Sequence, residues 1–375
     1  MADQSENVST DNCSDNIIKN ILDKEIKSVN VPEELEHQGE FLDGFFNNTL
    51  AKFDTCDIKD NIDISRDAIF GFHVRKTQSL LSSLKRIVEN KDMPKFKAIQ
   101  IYTSSPRSYK IPDISFEDLR ATREYSKKHG IHLFIHACLL YNLCGASKLE
   151  KDKKYETKKW NTISSLASEL DIAVALNAGL VVHTGSCVDK SRRYKEFSTN
   201  LVKSFVIESN YTSITAKILG VSKQDVIKKR TILLENSAGE GNKLGADILE
   251  LSDMLNAVPD AIKSKIGFCI DTCHIYGSGC YDLSTVKGID AMFGVIEMLI
   301  GIDRVKLIHL NDSKEKLGSR KDRHACLCEG LIWKDKEAVL KHLIDKTIKL
   351  GIPIIGEPPK NTVNDISLLE RLELI

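Results

Sequence analysis

The sequence predicts an α/β protein, a (β/α)8 barrel preceded by an acidic N-terminal extension, and three observations carry that prediction. Seven short apolar runs end in a histidine or a carboxylate: IFGFH at His73, HLFIH at His136, LVVH at His183, TILLE at Glu235, IGFCID at Asp271, VKLIH at His309 and IPIIGE at Glu357. A buried strand of a parallel sheet is such a run, apolar throughout with no alternation. Helical segments separate the runs at regular spacing. In a (β/α)8 barrel the strand C-termini converge on one mouth, where residues distant in sequence become neighbours. Histidine and carboxylate at seven strand ends therefore point to a metal cluster.

The elements follow in order. Residues 1–66 mix Asn, Asp, Ser and Glu with brief apolar clusters such as IIKNILDKEI and FLDGFFNNTLAKF, and read as an extension that is largely disordered or forms short helices. The barrel domain runs from 67 to 375. Strand one is expected at about 68 to 73, a helix through SLLSSLKRIV follows, and KAIQIY is strand two. FEDLRATREYSKKHG reads as a helix before HLFIH, and ETKKWNTISSLASELDIAVALNAG as a long helix whose terminal glycine precedes LVVH. The stretch from Cys187 to Lys229 must hold a helix and room for an insertion before TILLE. The last three strands alternate with helices near ADILELSDMLNAV, DAMFGVIEMLI and KEAVLKHLIDKTIK.

Composition agrees with one large catalytic domain and a tail. Of 375 residues, 28% are charged and 42% hydrophobic, the balance of a globular protein able to fill a core. No apolar stretch approaches the roughly 18 residues of a spanning helix, and MADQSENVSTDNCSD has neither a basic region nor an apolar stretch of signal type. An intracellular protein with no membrane partner is expected. Ten cysteines at irregular spacing read as free thiols, Cys326 and Cys328 included, because no second pair completes a thiolate zinc site. Net charge is zero, yet residues 1–66 hold 15 acidic and 6 basic residues, which leaves the remainder at +9. A basic folded domain suits a polyanionic partner, although lysine-rich helices also serve solubility alone.

Local constellations sharpen the metal reading. In FCIDTCH, Asp271 closes a strand and His274 follows three residues later, so one strand end and its loop can serve two metals. Asp322 and His324 form an Asp-x-His pair in a basic loop, and alternate residues of an extended loop point the same way, able to grip one cation. Glu235 precedes a Gly-rich loop, NSAGEGNKLG, that permits close approach of a bulky ligand. Mixed histidine and carboxylate ligands suit zinc or manganese better than magnesium. Such metals lower the pKa of water and neutralise phosphate oxygens, as slow phosphodiester hydrolysis requires.

The strings IDTCHIYGSGCYDL, HLNDSKEKLGSRKDRH, LLENSAGEGNKLG, GFHV and IYTSSPRSY together resemble the endonuclease IV family of apurinic/apyrimidinic (AP) endonucleases, over about residues 67 to 360. The resemblance implies a TIM barrel with three zinc ions, one or more replaceable by manganese. It implies cleavage of double-stranded DNA on the 5′ side of an abasic site, leaving a 3′-hydroxyl and a 5′-deoxyribose phosphate, and clearing of blocked 3′ ends. Carried over by motif, His136, His183 and Glu235 hold one zinc. Glu235 bridges to a second, shared with Asp271, His309 and Glu357. His274, Asp322 and His324 hold the third. Glu235 is also implied in the attack on phosphorus. His73 is not a family ligand, and a supporting or phosphate-facing catalytic role is expected for it. Arg107 matches a residue that enters the base stack, and Arg320, Lys321 and Arg323 flank the Asp-x-His pair where phosphates belong.

Two departures from the family pattern stand out. The run after His136 is ACLLYN, so Leu139 and Leu140 lie near the position of a family tyrosine that wedges DNA open, and Tyr141 is displaced. An apolar wedge can still unstack bases. HTGSC replaces the family's HPGSH, so Cys187 stands for a histidine that is not a ligand. A monomer is expected. Two other functions compete: a metal-dependent sugar isomerase or epimerase on a similar barrel has no use for the third ligand set, and a non-catalytic DNA-binding protein has no need of a complete one.

Overall fold

The apolar runs become strands because their side chains fill two layers at once, one inside the barrel and one beneath the helices. In the computed structural model, residues 70–91, 94, 96–145, 153–359 and 362–374 are described. The expected extension over 1–66 lies outside them. The barrel strands are β1 (Phe70–Val74), β2 (Ala98–Tyr102), β3 (His132–His136), β4 (Gly179–His183), β5 (Ile232–Glu235), β6 (Ile266–Asp271) and β7 (Val305–Leu310). A short hairpin, β8 (Asp312–Ser313) with β9 (His324–Ala325), intervenes before β10 (Ile354–Gly356). The eight barrel strands are parallel and close in the order β1-β10-β7-β6-β5-β4-β3-β2.

Side chains alternate across a strand with a period of two. Ala98, Phe134, Val181, Leu233, Cys269, Leu307 and Ile355 form one buried cluster, the packed layer inside the barrel. Two residues further along the same strands or at their ends come Gln100, His136, His183, Glu235, Asp271, His309 and Glu357. The same pleat that buries the apolar layer therefore aims these groups into the mouth. Register completes the juxtaposition: His73 pairs with Gln100, Tyr102 with His136, His183 with Glu235 and Asp271 with His309. At Gly71 a Cβ would lie 1.5 Å from the Ala98 carbonyl oxygen, so only glycine permits β1 and β2 to approach this closely.

Helices cover the outside. Phe116–His129 is capped by Ser115, whose side chain accepts from the Asp118 N–H, and ends at Gly130 with φ of 62°. The stretch from Cys187 to Lys229 holds three helices, Arg193–Val206, Thr212–Leu219 and Lys223–Lys228, more than the one its sequence required. No helix among the described residues is long and apolar enough to cross a membrane. The loop bearing Asp322 and His324 is anchored from below by buried Asp312, whose carboxylate accepts from the backbone N–H groups of Cys328, Gly330 and Ile332.

Candidate metal centre

Glu235 is the hub of the mouth. Its Oε2 lies 3.2 Å from His136 Nε2 and 3.0 Å from His183 Nε2, and its Oε1 lies 3.0 Å from His309 Nδ1. His309 Nδ1 is also 3.5 Å from Glu357 Oε2 and 3.9 Å from Asp271 Oδ2. Beside this group, Asp322 faces two imidazoles, at 3.2 Å from His274 Nε2 and 3.2 Å from His324 Nε2. His324 Nε2 in turn comes within 3.6 Å of Asp271 Oδ2, which joins the two halves. The nine residues carried over as ligands thus share one cavity wall.

Second partners orient the rings. His136 Nδ1 meets the Ala137 carbonyl oxygen at 2.9 Å, and His274 Nδ1 meets that of Asn236 at 2.9 Å, which leaves each Nε2 free to face inward. For His309 the order is reversed: Nε2 donates to Gln100 Oε1 at 2.9 Å and Nδ1 faces the carboxylates. Gln100 Nε2 donates to Glu357 Oε1 at 2.7 Å, fixing that amide's orientation, and Asn311 Nδ2 donates to Asp271 Oδ2 at 2.6 Å.

A cation fits this donor set. Glu235 Oε2 and His324 Nε2 are buried and form no hydrogen bond among the described residues despite neighbours near 3 Å, the arrangement left when lone pairs converge on a common point. Three groups have ligand atoms within 4.8 Å of one another: His136 with His183 and Glu235, Glu235 with Asp271 and His309, and His274 with Asp322 and His324. Cys273, with Asp271 and His324, makes a fourth group that the sequence reading did not nominate. Burial pushes the Cys273 thiol up, so it keeps its proton and is the poorer ligand.

The electrostatics state the same demand for positive charge. Burial alone would lower the pKa of His136, but Glu235 and Glu357 outweigh it and raise the ring to about 9. Burial is likewise overcome at His324, which Asp322 and Asp271 raise to about 9. Glu235 is fully buried, which opposes its ionisation, yet His183, His309 and His136 hold it well below the usual carboxylate range. Protons on the imidazoles meet in the bare chain a need that a divalent cation would meet instead.

The remaining expected site residues lie around the rim. His73 Nδ1 is 3.2 Å from Glu357 Oε1. Arg107, Arg320, Lys321 and Arg323 lie at the surface, Lys321 and Arg320 in the loop that carries Asp322. Leu139 and Leu140 are exposed apolar side chains at 38% and 41%, whereas Tyr141 is turned inward at 2%. The loops carrying Arg107 and the leucines are joined: Leu139 N–H donates to the Pro106 carbonyl at 2.9 Å, and the Tyr109 hydroxyl to the Leu140 carbonyl at 2.6 Å. Gln100 and Tyr102 were missed. Both sit on the inward face of β2, two and four residues after Ala98, a period of two that the apolar run KAIQIY conceals.

Comparison with known proteins now has a geometry to refer to. The profile of a family described as "Xylose isomerase-like TIM barrel" matches residues 91–372, which sets the class. "Probable endonuclease 4" of Halothermothrix orenii is 31% identical over 281 residues, 73% of this chain and 90% of that protein. The protein of the same description from Mycoplasma genitalium is 32% identical over 274 residues, 71% of this chain and 81% of its own. The crystal structure of endonuclease IV from Thermus thermophilus superposes with a TM-score of 0.62 at 27% identity, over 81% of this chain and 97% of that one. The chain belongs to the endonuclease IV family.

Proposed function

We propose that the protein is an AP endonuclease of base excision repair, hydrolysing the phosphodiester bond 5′ to an abasic site in DNA and also clearing blocked 3′ ends. The observation that carries this reading is the continuous ligand set around Glu235, Asp271 and Asp322, with buried donor atoms left unpaired toward its centre. A sugar epimerase on a similar barrel needs the Glu235 group alone. The additional group of His274, Asp322 and His324, fronted by Arg320, Lys321 and Arg323 at the surface, suits an anionic polymer and a leaving oxygen.

His136, His183 and Glu235 would hold one zinc, Glu235, Asp271, His309 and Glu357 a second, and His274, Asp322 and His324 a third. When bound, such ions supply Lewis-acid polarisation of the phosphate and a water of lowered pKa. The chain's own side chains do the rest. Glu235 spans two ligand groups and fixes their separation. Arg107, Leu139 and Leu140 enter the base stack as one unit, and unstacking costs least where a base is already missing. Arg320, Lys321 and Arg323 neutralise flanking phosphates.

The test is incubation of the full chain with a duplex carrying one abasic analogue, with and without chelator, with metal content measured in parallel. A single cut 5′ to the analogue, lost with chelator and restored by zinc, is expected. Cleavage indifferent to chelator, or none at full metal loading, overturns the proposal.

A further inference from the structure

Two polar groups at the β1–β2 sector of the mouth form no hydrogen bond among the described residues, His73 Nε2 and the Tyr102 hydroxyl. The other ring nitrogen of His73 is engaged: Nδ1 lies 2.9 Å from Gln100 Nε2 and 3.2 Å from Glu357 Oε1, and Gln100 Nε2 donates to that same oxygen at 2.7 Å. Nε2 of the ring is buried on the other side. A buried polar atom without a partner is costly, and a polar ligand that enters the mouth removes the cost.

The second group is Tyr102. It ends β2 on the inward face, paired in register with His136, and its ring centroid lies 4.4 Å from that of His73 and 5.2 Å from that of His136. The ring is half-buried among these imidazoles, and its hydroxyl makes no hydrogen bond among the described residues. Phenylalanine would satisfy the packing as well. A hydroxyl carried into the mouth with no partner among the described residues is placed for something that enters it.

We propose that the Tyr102 hydroxyl, beside the unpartnered His73 Nε2, donates to a phosphoryl oxygen of the DNA backbone. The inference rests on the reading that the mouth acts on DNA. The hydroxyl is neutral, so it selects an anionic oxygen by direction, complementing the cations of the outer rim. Arg107, exposed five residues beyond Tyr102, lies in the loop that follows β2.

The test is Tyr102→Phe in the zinc-loaded full chain, which deletes one oxygen and keeps the ring. Removing a hydrogen bond to a charged group is expected to lower kcat/KM on the abasic-analogue duplex by roughly tenfold or more, with zinc content and melting temperature unchanged. Activity within about twofold of the native protein overturns the inference, as does a loss matched by lost zinc, since the hydroxyl would then serve the fold. If the native protein leaves the abasic duplex intact at full zinc loading, the functional reading itself has failed and this site falls with it. A native protein that cuts normally beside an unimpaired Tyr102→Phe isolates failure to this inference alone.

Discussion

At the scale of single residues, Gln100 shows how much of the candidate metal centre is made by groups that are not themselves expected ligands. Its carbonyl fixes the His309 tautomer and its amide restrains Glu357, two of the expected ligands on opposite sides of one side chain. Leucine at this position keeps the volume and removes both contacts. Loss of such supporting partners typically costs 10- to 100-fold in metal affinity. Gln100→Leu is therefore expected to retain less zinc than the native chain after dialysis against a graded chelator, with the difference read by elemental analysis. Equal retention would mean that the His309 ring is held by packing alone. The residue was illegible in sequence because an amide inside KAIQIY looks like a polar interruption of a strand. The histidines and carboxylates at the other ends were legible because each terminates its run and, except for His73 after Gly71, follows an apolar inward residue by two.

At the scale of elements, the long helix Lys153–Leu176 buries two acids with opposite fates. Asp171 receives Arg230 through a two-pronged contact of 2.8 and 2.7 Å, with further hydrogen bonds from Ser209 and Thr212 at 2.6 Å each. Arg230 also donates to the carbonyls of Ser204, Phe205 and Ile207, so one guanidinium stitches the helical insertion to the barrel just before β5. Removing one member of a buried pair strands the other, at about 3 to 5 kcal/mol. Arg230→Ala is expected to lose that much stability in urea unfolding, and Asp171→Leu with Arg230→Met to recover most of it. If the single variant costs under about 1 kcal/mol, the pair is not what fastens the insertion.

Glu169, two residues earlier on the same helix, has no ion-pair partner among the described residues. Thr103 donates to its Oε1 at 2.7 Å, and the buried Tyr141 hydroxyl is its other polar neighbour. Burial raises its pKa from 4.5 to about 7. The folded chain thus binds a proton that the unfolded chain has released, and stability from this site declines as pH climbs from the ordinary glutamate value through about 7, then levels off. Glu169→Gln is neutral throughout and keeps an acceptor for Thr103. Its advantage over the native chain should be near zero at about pH 4 and reach on the order of 3 kcal/mol at about pH 8. A difference that does not vary with pH would show that Glu169 is not titrating inside the fold. Neither acid is separable in sequence from the exposed charges around it, and nothing in the run Lys228, Lys229, Arg230 marks its last residue as buried.

At the scale of the whole molecule, the barrel divides its labour by depth. The interior layer of Ala98, Phe134, Val181, Leu233, Cys269, Leu307 and Ile355 closes the sheet with apolar contacts alone, while four carboxylates and five imidazoles are confined to the level above it. The fold class was readable because the lower layer imposes unbroken apolar runs, and the cluster because the upper layer ends them. It follows that closure and metal binding are separable. Chelated protein should keep its far-UV circular dichroism, since no strand depends on a cation for its pairing. Its thermal stability should nevertheless depend on zinc, because an ion bound only to the folded state stabilises it by about 2.7 kcal/mol at a hundredfold excess over its dissociation constant. For a domain of this size each kcal/mol is worth roughly 2 to 4 °C, so zinc should raise the midpoint by roughly 5 to 10 °C, rising further with concentration. A chelated protein that melts at the same temperature as the zinc-loaded one would mean that these side chains converge without holding an ion. Loss of the helical and strand signal on chelation would mean instead that the upper layer, and not the apolar layer beneath it, closes the barrel.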